Sequence, residues 1–339
     1  MEEFGYRIIF GLQGLDTPAL QVVARGASFL GDEPFYLLLI PVLYWAVHRG
    51  TGLRLTILFL FSAWLNATLK GWVDLPRPSP DRVTVLLDEV TGGVPSGHAQ
   101  NALVVWGYLA WTLRTRLGGT GDGPDDPRRK VLVPIAATLV LLIGWSRLHL
   151  GVHFPHDLVT GWLVGLILLA GWIRMEARFD RQLSTRPGGA GLAAAGLPPA
   201  LIWIHRSYNA LPAAATLWGA GIGAWWERRN LRFTSSGPLW KRGLRMLAGL
   251  PVALGIWLGL TGLPLPSEEL ARGLRYFLLG LWLTAGAPLL FVVLGLSERS
   301  PPQEAPFAPG PPETPVVPVD PVDPEAPDEG VVSDEAGGR

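Results

Sequence analysis

Long apolar runs, separated by short charged segments, dominate the chain. A membrane-spanning helix needs about 20 predominantly apolar residues, because the hydrocarbon core of a bilayer is about 30 Å thick. A weaker, amphipathic segment at about residues 8–30 is either a further span or a helix that lies in the membrane interface. The pattern predicts an all-α fold, a polytopic membrane helical bundle. The clear candidate spans are nine runs, at residues 34–47, 53–69, 99–113, 131–148, 158–173, 192–204, 211–226, 246–263 and 274–296.

The composition supports a membrane protein. Of the 339 residues, 49% are hydrophobic and only 17% are charged, against about 25% charged in typical soluble domains. The absence of cysteine excludes a disulfide-stapled secreted domain and any cysteine-ligated metal site. The basic residues are scattered between apolar runs, so we expect a lipid bilayer as a partner and no nucleic acid.

The distribution of charge predicts an orientation in the membrane. If all ten segments are spans, the loops on the side of the N-terminus carry seventeen Lys and Arg residues, and the opposite loops carry seven. Because Lys and Arg are enriched in cytoplasmic loops, we expect an integral protein of a bacterial cytoplasmic membrane with both termini cytoplasmic. Loops 70–97 and 147–157 would then face the outer side. They carry charge against the trend, which makes them the expected place for a functional site.

The segment 297–339 differs from the rest of the chain. It holds ten acidic and two basic residues, a net charge of −8, together with eleven prolines. Such a composition cannot bury enough apolar surface to fold, so we expect an extended, disordered cytoplasmic tail.

Two short polar motifs flank apolar runs on the expected outer side. The first runs from Lys70 to Arg77, directly after the run 53–69. The second is Ser96-Gly97-His98, directly before the run 99–113. Serine is a preferred helix N-cap, glycine allows close backbone approach, and a helix N-terminus attracts anions. The second motif therefore predicts an anion site beside a histidine.

The third motif is Ser146-Arg147, followed by His153 and Asp157. A proline at position 155 suits the first position of a helix, which would place Asp157 in the first turn, within reach of His153. A carboxylate that accepts a hydrogen bond from one ring nitrogen fixes the tautomer and leaves the other nitrogen as a nucleophile. Arg147 closes the preceding span on the same side.

Together, the three motifs supply the groups that phosphoryl transfer needs. Lys70, Arg77 and Arg147 are three cations, which suit a phosphate dianion and the extra charge of its transition state. Two histidines with different partners suit a nucleophile and a general acid, and the residues alone leave open which histidine attacks. No carboxylate cluster or histidine pair has metal-site spacing, so we expect a reaction without a metal or other cofactor.

As a set, the motifs resemble the signature of the type 2 phosphatidic acid phosphatase family, membrane lipid phosphatases that share an active site with vanadium haloperoxidases. The resemblance covers about residues 1–176 and implies a six-span phosphatase core. The signature positions present are Lys70, Arg77, Pro78, Pro95, Ser96, Gly97, His98, Ser146, Arg147, His153 and Asp157.

The resemblance implies metal-independent hydrolysis of a lipid phosphate through a phosphohistidine. His153 would attack phosphorus, oriented by Asp157, while His98 would protonate the leaving oxygen and then activate water. Candidate substrates are undecaprenyl diphosphate, phosphatidylglycerol phosphate and phosphatidic acid. The implied phosphate-binding residues are Lys70, Arg77, Ser96, Gly97 and Arg147.

The expected organisation has three parts. Residues 1–176 form the phosphatase core, residues 177–296 add about four membrane spans of unknown role, and residues 297–339 form the tail.

One alternative function is a lipid phosphotransferase, in which an alcohol replaces water at the phosphoenzyme. Another is a membrane transporter or translocator, which the ten spans support. The absence of interrupted spans in matching halves argues against a transporter.

Four further polar residues lie near the motifs. His149 and His156 flank the third motif and are expected to be structural or to support the site indirectly. Asp74 and Arg82 lie between the first two motifs and are secondary candidates for contact with the substrate headgroup.

Overall fold

The computed structural model describes residues 2–115, 130–185, 187–205, 207–259 and 266–300. Residues 1–300 form one compact unit, and the predicted tail beyond Ser300 lies outside the described residues. Within the described parts of the chain the regular structure is helical, with a single isolated bridge between Phe233 and Arg299.

Twelve α-helices and two π-helical segments follow one another along the described chain. The π-helical segment Val42–Val47 continues α3, and Trp282–Gly286 joins α11 to α12. The helices are α1 Glu2–Gln13, α2 Pro18–Phe29, α3 Glu33–Pro41, α4 Arg49–Val73, α5 Gly97–Thr115, α6 Leu132–His149, α7 Pro155–Thr185, α8 Pro187–Ile204, α9 Leu211–Asn230, α10 Leu239–Gly259, α11 Glu268–Leu281 and α12 Ala287–Val293.

The predicted class, a helical membrane bundle, is confirmed. Four segments are long and apolar enough to cross a membrane, namely 49–73, 132–149, 155–178 and 268–293. A fifth is added if the pair 18–29 and 33–47, bent by 53°, counts as one span. The predicted count of six core spans and four further spans stays a prediction.

Helix α5 is the centre of the predicted phosphatase core, where it packs against α4, α6 and α7. One apolar cluster joins three of these helices through Leu58 of α4, Val104 of α5 and Leu169 of α7. Another joins α5 to α6 through Ala102 and Ile143. Because every helix carries a buried apolar stripe against its neighbours, the ends of α4, α5, α6 and α7 are fixed relative to one another.

Helix α9 is the centre of the C-terminal helices, and it packs against α4, α8 and α11. Glycines bring α9 and α11 into backbone contact. A Cβ atom added at Gly219 would lie 1.9 Å from the carbonyl oxygen of Phe277, and one at Gly280 would lie 2.1 Å from that of Thr216. In membrane proteins, where helices gain little from hydrophobic burial, small residues of this kind allow the close packing that holds helices together.

The core and the C-terminal helices meet along the two π-helical segments. The indole nitrogen of Trp45, in the first segment, donates to the carbonyl oxygen of Leu283 in the second at 2.8 Å. At the end of the bundle away from the motifs, the buried guanidinium of Arg245 donates to four backbone carbonyls, those of Trp45, Ser235, Ser236 and Leu296. These bonds join the end of the π-helical segment after α3 to the segments that flank α10 and α12.

The weak first segment, predicted at residues 8–30 as a span or an interfacial helix, forms two helices instead of one. Thr17 caps α2, its hydroxyl accepting from the backbone nitrogen of Leu20 at 3.2 Å, and Pro18 occupies the first turn. Each helix has 12 residues. A 12-residue helix is about 18 Å long, which is shorter than the ~30 Å hydrocarbon core.

Both N-terminal helices lie at the end of the bundle that carries the motifs. Glu3 accepts two hydrogen bonds from Arg82, at 2.7 and 3.0 Å, and Gln13 donates to the carbonyl oxygen of Thr84 at 2.6 Å. Ser300, in contrast, donates its backbone N–H to Arg232 at the other end of the bundle. The structure thus places the N-terminal helix at the end of the bundle that carries the motifs, whereas the charge count places the N-terminus opposite them. The side of the membrane on which each end lies stays a prediction.

Cysteine labelling tests this arrangement, since the chain has no native cysteine. In sealed vesicles, a membrane-impermeant maleimide should modify Glu2→Cys and the motif-loop variant Val90→Cys from the same side. Ser236→Cys, an exposed position at the other end, should react only from the opposite side. Modification of Glu2→Cys together with Ser236→Cys, and not with Val90→Cys, would contradict the described topology.

Candidate active site

The three motifs meet at one end of the bundle, around a cavity of about 440 Å³. The C-terminal ends of α4 and α6 and the N-terminal ends of α5 and α7 contribute the residues, so helices that alternate in direction return each motif to the same end. The predicted site residues among those that line the cavity are Lys70, Arg77, Gly97, His98 and His153.

His153 lies between a carboxylate and a guanidinium. Its Nδ1 is 3.0 Å from Oδ2 of Asp157, and its Nε2 is 3.0 Å from a terminal nitrogen of Arg77. The same Asp157 oxygen accepts from the backbone nitrogen of Phe154 at 2.9 Å, which holds the carboxylate in place. Both His153 and Asp157 are buried. The predicted pairing of these two residues is thus present in the structure.

This geometry determines the tautomer of His153. A guanidinium is only a donor, so the Nε2 atom that faces Arg77 must be the acceptor, and the ring proton sits on Nδ1, where it is donated to Asp157. Burial, together with the positive charges of Arg77 and Lys70, holds the pKa of His153 well below its ordinary value. The ring is therefore neutral, and its Nε2 lone pair, which accepts from Arg77 in this structure, lies at the cavity.

Lys70 and Arg77 are held by a short stretch of the loop between α4 and α5. The Lys70 ammonium donates to the carbonyl oxygen of Gly92 at 2.7 Å and to the hydroxyl of Thr91 at 3.1 Å. Arg77 donates to the carbonyl oxygen of Thr91 at 2.6 Å and to that of Val152 at 2.7 Å. Carbonyl acceptors position both cations without neutralising their charge, and both cations line the cavity.

Glu89 is a site residue that sequence reasoning missed. Its carboxylate pairs with Arg147 through one oxygen and lies 3.4 Å from Arg77 through the other. Burial raises the pKa of Glu89, but the charges of Arg147 and Arg77 outweigh that effect and lower it overall. Arg147 is fully buried and also donates to the hydroxyl of Ser28 in α2. A carboxylate thus lies between two of the three predicted phosphate-binding cations.

The second motif ties the N-terminus of α5 to the third motif. The backbone N–H of Ser96 donates to the carbonyl oxygen of Asp157 at 2.9 Å, and its hydroxyl lies 3.5 Å from the backbone nitrogen of Ala99. Ser96 is fully buried just behind the cavity wall, at the predicted cap position. Gly97 lines the cavity, and a Cβ atom there would lie 2.9 Å from Oδ1 of Asn66, so the glycine permits close packing.

His98 has a carboxylate partner that the motifs do not include. Its Nε2 lies 2.7 Å from Oδ1 of Asp32, the residue directly before α3. A carboxylate oxygen accepts, so Nε2 carries a proton. The turn before α3 approaches closely, since a Cβ atom at Gly31 would lie 2.6 Å from the imidazole ring. The only signal for Asp32 in the sequence is its place between the weak amphipathic segment and the run 34–47.

The remaining candidates occupy supporting positions. His149 lies 2.8 Å from Asp16, which attaches the end of α6 to the turn between α1 and α2. His156 stacks on Phe154, with its Nε2 3.1 Å from Oδ1 of Asp157. Two others lie apart from the reacting histidines: Asp74 ends α4 and lines the cavity, and Arg82 pairs with Glu3.

Two family models match this chain. A family model described as PAP2 superfamily matches residues 51–181, and one described as PAP2 superfamily phosphatase, transmembrane extension, matches residues 211–299. The first range contains all three motifs. The second begins with α9 and ends beyond α12.

Two curated relatives are similar to this chain. Phosphatidylglycerophosphatase B from Bacillus subtilis is 33% identical over 155 residues, which cover 44% of this chain and 72% of that protein. Lipid phosphate phosphatase delta from Arabidopsis thaliana is 28% identical over 189 residues, which cover 54% of this chain and only 44% of that protein.

Among solved structures, a transmembrane PAP2-type phosphatidylglycerolphosphate phosphatase from Bacillus subtilis matches with a TM-score of 0.45 and 27% identity. That match covers 55% of this chain and 88% of the other. The family model over the three motifs and the 33% identical relative, most of whose length is covered, establish the family. The chain belongs to the PAP2 superfamily.

Proposed function

We propose that the protein is a membrane phosphatase that hydrolyses lipid phosphate monoesters or diphosphates through a phosphohistidine. The observation that carries the proposal is the arrangement of His153: a neutral imidazole held by Asp157, with its Nε2 lone pair facing a cavity that also presents Lys70 and Arg77. The cavity lies at the ends of apolar helices, where the headgroup of a membrane lipid can enter.

In the first step, the Nε2 lone pair of His153 attacks phosphorus, and the bond from phosphorus to the lipid oxygen breaks. His98 gives a proton to the departing oxygen, so the lipid leaves as a neutral alcohol or, from a diphosphate, as a protonated phosphate. Asp157 stabilises the positive charge that forms on the His153 ring, as its 3.0 Å contact with Nδ1 allows.

In the second step, His98 takes a proton from water, and the resulting oxygen nucleophile attacks the phosphohistidine. The bond between Nε2 and phosphorus breaks, inorganic phosphate is released, and His153 returns to its neutral form. Lys70, Arg77 and Arg147 stabilise the negative charge on the phosphoryl oxygens in both steps. The N-terminus of α5 adds the backbone N–H of Gly97 and a positive dipole end, and we propose that the Ser96 hydroxyl also contributes to phosphate binding.

The names of the relatives support a lipid substrate. One is a phosphatidylglycerophosphatase and another a lipid phosphate phosphatase. We propose phosphatidylglycerol phosphate, phosphatidic acid and undecaprenyl diphosphate as the substrates to test first, on the outer face of a bacterial cytoplasmic membrane. A lipid phosphotransferase uses the same nucleophile and acid, and differs only in that an alcohol takes the place of water.

Phosphoenzyme trapping tests the roles of the two histidines. His153→Ala should abolish both turnover and acid-labile phosphate on the protein, because it removes the nucleophile. His98→Ala should lower turnover by about 10²–10⁴-fold and still form a phosphoenzyme with a good leaving group. Asp157→Asn should lower turnover more than apparent affinity, because it acts on the attack step.

His205→Ala provides the control for loss of a histidine, since this residue lies beside Trp72, away from the reacting pair, and should keep both signals. Phosphate trapped on His98 in the His153→Ala protein would reverse the assignment. A phosphoenzyme absent from every protein under rapid-quench conditions would indicate direct attack by water.

Removal of metal tests the proposed cofactor independence. The described residues contain no group of three or more His, Asp or Glu side chains that could hold a metal ion. Phosphate release by the purified protein should therefore survive incubation with a strong chelator. Activity that EDTA abolishes and Mg²⁺ restores would refute the proposed chemistry.

Glu89 should compete with phosphate for Arg77 and Arg147, because its carboxylate already pairs with both guanidinium groups. Glu89→Gln should lower the inhibition constant of inorganic phosphate by about tenfold, which corresponds to ~1.4 kcal/mol. Asp88→Asn removes the same charge from the exposed neighbouring position and should leave that constant unchanged. Weaker phosphate inhibition in Glu89→Gln than in the parent protein would show that Glu89 organises the cations instead.

A further inference from the structure

A second cavity adjoins the catalytic one. It has a volume of about 320 Å³ and lies between the phosphatase core and the C-terminal helices. Its core wall comes from α3 and α4, and its other wall from α9, α10, α11 and the π-helical segment after α11. The two cavities share five lining residues: Gly31, Glu33, Ala63, Asn101 and Asn209. We call this second space the tail cavity.

Polarity falls steadily from the catalytic cavity into the tail cavity. The catalytic end presents charged side chains such as Lys70 and Arg77. The shared boundary presents neutral amides and Glu33, which accepts from the Tyr276 hydroxyl at 2.9 Å and the Trp257 indole at 3.0 Å. The deep wall is mostly apolar and includes Ile40, Phe59, Leu60, Leu279 and Leu283.

One charged side chain, Arg272, also lines the tail cavity. Its guanidinium carbon lies 3.6 Å from the centroid of the Tyr208 ring, so its charge rests on an aromatic face. Tyr208 is adjacent in the chain to the boundary residue Asn209. The contact with Arg272 therefore lies at the end of α11 that is nearest to the shared boundary. The deep part of the cavity is thereby left to apolar groups.

We propose that the tail cavity holds the hydrocarbon chain of the lipid whose phosphate lies in the catalytic cavity, and that the C-terminal helices provide one wall for that chain. The inference rests on the proposed function. The occupant follows from the continuity of a cationic cavity with an apolar one, which matches the two parts of a lipid phosphate. A volume of this size falls at the small end of ligand sites, which suits part of one chain.

Chain contact in the tail cavity should contribute to specificity. Burial of each methylene group is worth about fourfold in affinity by general transfer energies. A lipid phosphate with a long chain should therefore be preferred to a short-chain analogue. The hydrolysis of an ester without a chain should not depend on the tail cavity.

Two alanines on α9 allow a matched test. Ala213 lines the tail cavity, whereas Ala224 lines a different cavity of about 320 Å³ between α4, α8 and α9. The two are similarly buried, at 8% and 6% exposure. Among the described residues, that third cavity shares no lining residue with the catalytic one. Both substitutions therefore add the same bulk to α9, Ala213→Leu inside the tail cavity and Ala224→Leu outside it.

The experiment measures kcat/KM in detergent micelles for dioleoyl and dihexanoyl phosphatidic acid and for p-nitrophenyl phosphate. Ala213→Leu should lose at least tenfold on the dioleoyl substrate and change little on p-nitrophenyl phosphate. Ala224→Leu should match the parent protein on all three. Equal activity of both variants on the dioleoyl substrate, with the parent active, would overturn the proposal that the tail cavity holds the chain. It would leave the proposed phosphatase function intact. A parent protein inactive on every phosphate would instead refute the proposed function.

Photo-crosslinking keeps the inference testable if Ala213→Leu does not fold. A phosphatidic acid with a diazirine at the end of one chain should label the parent protein within residues 211–216 or 276–283, which border the tail cavity. Labelling confined to the outward face of α7, at exposed residues such as Leu163 and Ile167, would show that the chain stays in the bilayer and would overturn the proposal.

Discussion

The burial of the Arg147 charge is the constraint on which the site depends. This guanidinium has no exposed surface, yet it ends a helix that is apolar along nearly its whole length. Removing one partner of a buried ion pair typically costs about 3–5 kcal/mol, so the charge must be matched. Glu89 from the loop and Ser28 from α2 provide the match. One buried cation thereby positions the motif loop and the second N-terminal helix. A substrate phosphate can take over the role of Glu89 without leaving the cation unpaired.

In the proposed mechanism, the same cations keep the nucleophile His153 neutral. Positive charges from Arg77 and Lys70 oppose protonation of His153, and Arg77 faces the Nε2 lone pair that attacks. When a phosphoryl group binds, its oxygens contact those positive charges. The charges that oppose protonation of the ring then stabilise the negative charge of the transition state. Asp157 then compensates the charge that appears on the ring. The two ring nitrogens thus have separate proposed tasks. Nδ1 contacts Asp157, which compensates the charge of the ring, and Nε2 attacks phosphorus.

The sequence predicts the features that depend on local patterns. Apolar runs indicate the long helices, and the motif spacing places Asp157 one turn from His153. Long-range partners carry no such signal: Glu89, Asp32 and Ser28 meet their partners 58, 66 and 119 residues away. The difference at the N-terminus has another origin. The segment at 8–30 is apolar enough to suggest a span, but a turn at 14–17 divides it into two 12-residue helices at the end of the bundle that carries the motifs. The basic bias of the remaining loops does not depend on this segment, so charge counting could not detect the difference.

The turn before α3 joins the chemistry to the C-terminal helices. Asp32 lies 2.7 Å from His98, and its neighbour Glu33 accepts hydrogen bonds from Tyr276 and Trp257. Two adjacent carboxylates are thus held by different partners, Asp32 by the proposed general acid His98 and Glu33 by α10 and α11. Glu33 also lies at the boundary of the two cavities, so the C-terminal helices hold the direct neighbour of Asp32, the residue that contacts the proposed acid His98. A change in how those helices pack should reach the proton transfer step as well as the lipid chain.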